Sequence, residues 1–258
     1  MSTDLLNRLF SLEGKTVLVT GGYSGIGRTF AETFAELGAN LAIAARNEEK
    51  VRAAAAEMAE KYGAKVIGKS VNVSDSAAVD NLVGEVVAEF GQVDVLVNSA
   101  GIADSGKPMV QTSDEEFDRV MAVNLRGTFI VSRAVAREMI KRKSGRIINI
   151  SSLAAKRAIP NMSVYNAGKA AVVHLTRTMA LELMRDNIQV NALCPGYFLT
   201  DMNRDFFASQ LGQKVIKNTM PMRRLGDLEE LKSTAVYLAT CPPFLTGAEL
   251  YIDGGHGL

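Results

Sequence analysis

Short apolar runs alternate along the chain with longer stretches in which apolar residues recur every three or four positions. The runs are KTVLVT (Lys15–Thr20), NLAIAA (Asn40–Ala45), AKVIGKSV (Ala64–Val71), VDVLVN (Val93–Asn98), GRIINIS (Gly145–Ser151), IQVNALC (Ile188–Cys194) and AELYID (Ala248–Asp253). Most are continuously apolar, the pattern of strands covered on both faces. The clearest helical segment between them is NEEKVRAAAAEMAEKYG, with Asn47 placed to cap it, Glu48 and Glu49 in its first turn and Gly63 to stop it. Strand–helix alternation at this spacing predicts an α/β fold, a doubly wound seven-stranded parallel sheet with helices on both faces. No linker, repeat or low-complexity segment divides the chain, so residues 1–258 read as one domain. The least regular stretch, about 197–225, carries scattered large apolar residues (Met202, Phe206, Phe207, Met220) and reads as a short helical lid over a site. A peripheral packing helix is the alternative.

Composition narrows the classes. Hydrophobic residues make up 47% of the 258 and charged residues 22%, enough apolar mass for a full core. Lys+Arg at 29 against Asp+Glu at 28 leaves a net charge of +1, which disfavours a nucleic-acid partner. No apolar run approaches the ~20 residues of a membrane span, and MSTDLLNRLFSLEGK lacks the basic start and long apolar stretch of a signal peptide. The two cysteines, Cys194 and Cys241, form no spaced framework. With only His174 and His256 for imidazole ligands, no metal spacing is visible either. The expectation is a soluble, cytoplasmic protein without a metal, its cysteines behaving as small buried hydrophobes.

The first run leads into TGGYSGIGRTFAETFAELGA, with glycines at 21, 22, 25 and 27 between a strand and a helix ending at Gly38. A turn there needs residues without side chains, and the free N–H groups of the helix start suit a pyrophosphate. Gly21, Tyr23, Ser24, Gly25, Ile26 and Gly27 are therefore candidate dinucleotide-binding positions. Such units place a carboxylate about 20 residues on to hold the adenosine ribose diol. Here that position is Ala45, followed by Arg46 and Asn47. Without a carboxylate to repel it, a ribose 2′-phosphate would be accepted, and Arg46 can fork onto it. NADP(H) is expected in preference to NAD(H). NVSD (Asn72–Asp75) and NSAG (Asn98–Gly101) end the third and fourth strands, where open α/β sheets bind ligands.

YNAGKA (Tyr165–Ala170) places a tyrosine four residues before a lysine, on one face of a helix. A free phenol has a pKa near 10 and is a poor base at neutral pH. An ammonium ~4 Å from a forming phenolate gains roughly 4 kcal/mol at an effective dielectric near 20, enough to lower the phenol by up to ~3 units. Ser152, at the end of the fifth strand, can donate to an oxygen on which charge develops. In the bland reading, Tyr165 is a partly buried aromatic and Lys169 a solvated charge.

Taken in order, TGGYSGIG, NSAG, VNLRG, INISS, YNAGK, CPGYFLT and YIDGG make the whole chain resemble the short-chain dehydrogenase/reductase family. Ser99 stands where that family usually has a second Asn, and Asn72 where an Asp is common. The resemblance implies a Rossmann fold and an oxidoreductase moving a hydride between NADP(H) and a secondary alcohol or ketone. It gives Tyr165 as acid/base, Lys169 as its tuner and nicotinamide-ribose contact, Ser152 as holder of the substrate oxygen, and Asn124 as anchor of a relay water. Asn72, Val73, Asn98, Ala100 and Gly101 would line the cofactor, with Pro195, Gly196, Phe198 and Thr200 at its nicotinamide half. Ser152, Leu153, Tyr165 and Tyr197 would meet the substrate, with further pocket residues around Leu153–Arg157, Asp104–Lys107 and Tyr197–Phe207. Lys156 and Arg157 are candidates for an anionic substrate or a plain surface role. The resemblance also implies a homotetramer packed through the helices Met121–Lys141 and Tyr165–Arg185. The opening LFSLEGKTVLVTGG and the segment DNIQVNALCPGYFLTDMN look most like gluconate 5-dehydrogenase-like members. The alternatives are a 3-oxoacyl-carrier-protein reductase, a broad ketone reductase and a non-catalytic NADP(H)-sensing regulator.

Overall fold

The structure is a computed structural model that describes residues 3–258, so the first two residues of the N-terminal stretch lie outside the described residues. The chain begins with helix α1 (Thr3–Phe10). All seven expected strands are present: β1 (Thr16–Thr20), β2 (Asn40–Ala45), β3 (Val66–Ser70), β4 (Val95–Asn98), β5 (Gly145–Ile150), β6 (Ile188–Pro195) and β7 (Glu249–Ile252). They form one parallel sheet in the order β3-β2-β1-β4-β5-β6-β7. The helices α2 (Gly25–Glu36), α3 (Glu48–Tyr62), α4 (Ser76–Phe90), α5 (Asp114–Met121), α6 (Thr128–Arg142), α7 (Ser163–Leu183), α8 (Arg204–Ala208), α9 (Gln210–Thr219) and α10 (Lys232–Ala239) connect the strands.

Successive strand residues point to opposite faces, and here both faces are covered. Val17 and Val19 bury with Phe30 and Phe34 of α2 and Val51 of α3, whereas Leu18 buries with Val83 of α4 and Val131 of α6. Each such side chain contributes about 1.5–3 kcal/mol by leaving water. That is why continuous apolar runs, rather than alternating ones, encode these strands. β3 departs from the pattern: it is the sheet edge, its residues half-buried to exposed. The ends of α3 follow the local signals, with Asn47 Oδ1 accepting from the Lys50 N–H at 2.9 Å and Gly63 left-handed at φ 65°.

Two segments differ from expectation. The helix expected over Met121–Lys141 is interrupted by a π-helical turn at Ala122–Gly127. There Asn124 bonds to a distant loop, and Gly127 lies so close to Val73 that a Cβ would come within 2.7 Å of Val73 Cγ2. The irregular stretch holds two short helices, α8 and α9, with Phe207 and Met220 buried and Met202 and Phe206 exposed.

β1 and β4 are neighbours, so the direction of winding reverses between them and opens a crevice at their carboxyl ends. The glycine turn, NSAG and the serine after β5 all follow the carboxyl ends of strands along that edge.

Candidate active site

The floor of the crevice is the glycine turn. Thr20 Oγ1 accepts the N–H groups of Ser99 and Ala100, each at 3.2 Å, and ties the loop after β4 to the end of β1. A Cβ on Gly21, itself at φ 69°, would stand 3.0 Å from Ala100 N. One on Gly27 would overlap the Gly21 carbonyl and approach Ser99 Oγ at 3.1 Å. Gly27→Ala is therefore expected to lower the unfolding midpoint and weaken NADPH binding together, overpacking of this kind costing about 1–3 kcal/mol. Thermal melts with and without NADPH check it. Ser24, the residue before α2, gives that helix no side-chain cap, which leaves first-turn N–H groups of α2 open at the crevice. An uncapped helix start beside a turn that admits no side chains fits a dinucleotide pyrophosphate.

The other predicted contacts separate into two groups. Arg46 is exposed at the end of β2, beside the buried Ala45, and its guanidinium makes no ion pair among the described residues. Thr200 reaches back to the glycine turn, where a Gly25 Cβ would meet its Cγ2 at 3.3 Å. Asn47 caps α3, and Asn72 Oδ1 accepts from Ser74 N–H and Oγ. Asn98 is buried, its Nδ2 donating to Ser132 Oγ (2.8 Å) and Asn149 Oδ1 (2.9 Å). Gly196 is where the end of β6 meets the segment after β7, a Cβ there coming within 2.7 Å of Asp253 Cα. Phe198 is buried and its carbonyl accepts from Asn203 Nδ2 at 2.9 Å.

Ser152, Tyr165 and Lys169 come together between the end of β5 and α7. Ser152 Oγ accepts from Ala154 N–H at 3.1 Å and is near enough to the Tyr165 phenol to draw its pKa down. Lys169 is buried, its Nζ donating to the Ile150 carbonyl at 2.8 Å and lying 5.6 Å from the centre of the Tyr165 ring. Ser151 Oγ donates to the Lys169 carbonyl at 2.8 Å and fixes that turn of α7 to β5. Gly101 faces the same point: a Cβ would come within 3.6 Å of Lys169 Nζ.

The electrostatics correct one expectation. Burial pushes the Tyr165 phenol above its usual 10, against a smaller pull downward from Ser152, and the charge of Asp104 adds to the rise. Lys169 bears a desolvation penalty of its own, which lowers it to about 8. The expected direct ammonium–phenol attraction is weakened because Nζ is drawn to a backbone carbonyl and sits over the ring.

Asn124 is buried, and its side chain bonds the Ile102 backbone twice, accepting from N–H and donating to C=O at 2.8 Å each. It fastens the loop after β4 to the π-helical turn. The Leu153 side chain, expected to meet the substrate, is turned away from the crevice. It is 2% exposed and turned toward Gly257, whose Cβ would meet Leu153 Cδ1 at 2.9 Å. Tyr197 is half-buried between Phe207 of α8 (5.2 Å between ring centres) and His256 (5.6 Å). Lys156 stacks on the Tyr251 ring and Arg157 donates to the His256 carbonyl at 2.5 Å, so both turn toward the C-terminal segment. Cys194 is fully buried and its thiol is pushed up to about 11 by burial, in keeping with a small hydrophobe.

Sequence reasoning did not find the link between Asp104 and α7. Asp104 Oδ2 accepts the Tyr165 N–H at 3.3 Å across 61 residues of chain, a contact with no local signature.

Residues 21–256 match the family model described as enoyl-(acyl carrier protein) reductase. The chain is 37% identical over 251 residues to the 5-keto-D-gluconate 5-reductase of Escherichia coli K12, covering 97% of this chain and 98% of the relative. It is 38% identical over 245 residues to the 3-oxoacyl-(acyl-carrier-protein) reductase of Chlamydia muridarum, covering 95% and 98%. The chain belongs to the short-chain dehydrogenase/reductase family. Among solved structures, a gluconate 5-dehydrogenase from Burkholderia cenocepacia in complex with NADP and tartrate superposes with a TM-score of 0.90 at 38% identity, covering 96% of this chain and 97% of that one. This family member is an oxidoreductase acting on alcohol and ketone groups, of a family that binds a nicotinamide cofactor on a Rossmann fold. Among the described residues, no helix is long and apolar enough to cross a membrane.

Proposed function

We propose that the enzyme reduces a ketone, or oxidises the matching secondary alcohol, of a polyol or sugar acid with NADP(H), by proton transfer through Tyr165. The observation that carries this reading is the convergence of Ser152, Tyr165 and Lys169 beside the glycine turn. The reduced cofactor supplies the hydride that adds to the carbonyl carbon. Ser152 Oγ holds the carbonyl oxygen, and the Tyr165 O–H gives its proton to that oxygen as the new C–H bond forms. Lys169, protonated at neutral pH, stabilises the resulting phenolate and meets the nicotinamide ribose. Asn124 supports the route by fastening the π-helical turn to the loop after β4, and anchors the relay water there. Burial raises the phenol, so at neutral pH it carries the proton that the reductive step gives up.

The 5-keto-D-gluconate 5-reductase likeness supports the sugar-acid reading, and the acyl-carrier-protein relative keeps a 3-oxoacyl substrate as the second one. α8 and α9 act as the lid, with Tyr197 and Phe207 at its hinge. Met121, Leu125, Phe129 and Leu175 line a surface groove on α5–α7 through which the chain would assemble as a homotetramer. Consumption of NADPH with a panel of keto-acids, ketoses and 3-oxoacyl thioesters tests the reading. Turnover of none of them, with NADPH bound, overturns it.

Arg46 supports NADP(H) over NAD(H). Arg46→Ala is expected to weaken NADPH binding by about tenfold or more, the worth of a charge-assisted bidentate pair, and NADH binding by less than twofold. Fluorescence titration with both dinucleotides decides; equal losses count against a 2′-phosphate contact.

A further inference from the structure

Asp104 lies half-buried three residues past Gly101, on the loop after β4, against the first turn of α7. One carboxylate oxygen is engaged: Oδ2 accepts from the N–H of Tyr165, the third residue of α7. Met162, the residue before α7, provides no side-chain cap, so Asp104 supplies one from a distant loop. The other oxygen, Oδ1, is buried and has no hydrogen-bond partner among the described residues. Asp104 joins no ion pair among them, and its charge is felt at the Tyr165 phenol. An ionised oxygen kept from water without a donor is costly. Its position beside the catalytic phenol makes a bound substrate the natural donor.

We propose that Asp104 is a specificity-determining residue whose Oδ1 accepts a hydrogen bond from a hydroxyl on the carbon next to the reacting one, so that the preferred substrates are α-hydroxy ketones and the corresponding vicinal diols. This rests on the dehydrogenase reading above and narrows it. A neutral donor suits the site because the positive end of α7 already compensates the carboxylate charge, which removes the need for a substrate cation. A substrate carboxylate at that carbon would be repelled. A plain 3-oxoacyl chain would leave Oδ1 unpaired, the situation in which sites built for a hydroxyl discriminate most strongly.

The test compares 1-hydroxy-2-butanone with 3-pentanone, in which a methyl replaces the hydroxyl, and with protonated 1-dimethylamino-2-propanone, using NADPH and the full-length enzyme. Wild-type kcat/KM is expected to favour the hydroxy ketone over 3-pentanone by tenfold or more. Asp104→Ala is expected to collapse that ratio by about tenfold to a hundredfold, because loss of the α7 cap alone would slow both substrates alike. Asp104→Asn, which keeps an acceptor for the Tyr165 N–H, should retain part of the preference. Equal wild-type efficiency on the two ketones overturns the proposal, as does a ratio unmoved by Asp104→Ala or a preference for the amino ketone that this substitution removes. Turnover of none of these ketones or of the wider panel defeats the dehydrogenase reading itself, whereas turnover of both without preference defeats only the part assigned to Asp104.

Discussion

Tyr165→Phe is expected to reduce kcat in both directions by about 10²- to 10⁴-fold, the usual contribution of a positioned acid–base group, while NADPH affinity changes by no more than a few-fold. The substitution deletes one oxygen from a half-buried ring, so the unfolding free energy should move by about 1 kcal/mol at most. Neither neighbour can take over. Lys169 is held on the Ile150 carbonyl and lies 5.6 Å from the ring centre. Ser152 carries an aliphatic hydroxyl, a weaker acid than a phenol. Ser152→Ala should give a smaller loss, and the double variant should be scarcely worse than Tyr165→Phe, because groups acting on one proton transfer are not additive. Steady-state kinetics with a turned-over ketone, beside a dinucleotide titration and a melt, gives all three quantities. A Tyr165→Phe enzyme that keeps more than a tenth of its rate would remove the phenol from the chemistry.

The strands were legible because burial on two faces leaves a direct mark on composition. Val17 to Val19 face alternate helix layers yet are all apolar, so the run itself names a covered parallel strand. The termini of α3 were legible for a local reason: Asn47 and Gly63 do their work within four residues of themselves. The site motifs placed Ser152, Tyr165 and Lys169 correctly at one sheet edge because strand ends and helical spacing fix direction. What could not be read depends on contacts far apart in sequence. Leu153 follows Ser152 but turns inward against a C-terminal glycine more than a hundred residues away. Asn124 looks like an ordinary helix residue until Ile102 is seen against it. Asn98 ends its strand as expected, yet its amide is pulled inward by Ser132 and Asn149. The direction of the Tyr165 shift also escaped, since a Coulomb estimate from spacing contains the cation but not the enclosure that desolvates both groups.

That enclosure has a measurable consequence at Lys169, where Lys169→Met is expected to abolish detectable turnover and yet make the protein more stable. The ammonium is lowered from 10.5 to about 8 by desolvation, which corresponds to a destabilisation of about 3 kcal/mol at neutral pH. For a base whose folded value is depressed, the unfolded chain binds more protons between about pH 8 and 10.5. The penalty is therefore complete below about pH 8 and fades as the pH rises through that window. Methionine fills a similar volume without a charge but leaves the Ile150 carbonyl without its donor, which offsets about 1–2 kcal/mol. A net gain of about 1–2 kcal/mol at pH 7 follows, a rise of a few degrees in melting temperature for a chain of this size. Urea unfolding across the window should show the stability gap between the variant and the wild type narrowing as pH rises, the buried Cys194 and Tyr165 contributing alike to both. The reductive kcat/KM of the wild type should fall over the lower part of the same range, because a neutral amine no longer stabilises the phenolate left on Tyr165. A Lys169→Met protein that unfolds more easily than the wild type at pH 7, or a wild-type profile level from pH 7 to 10, would mean that the buried cation is neither the source of strain in this site nor the partner of its phenol.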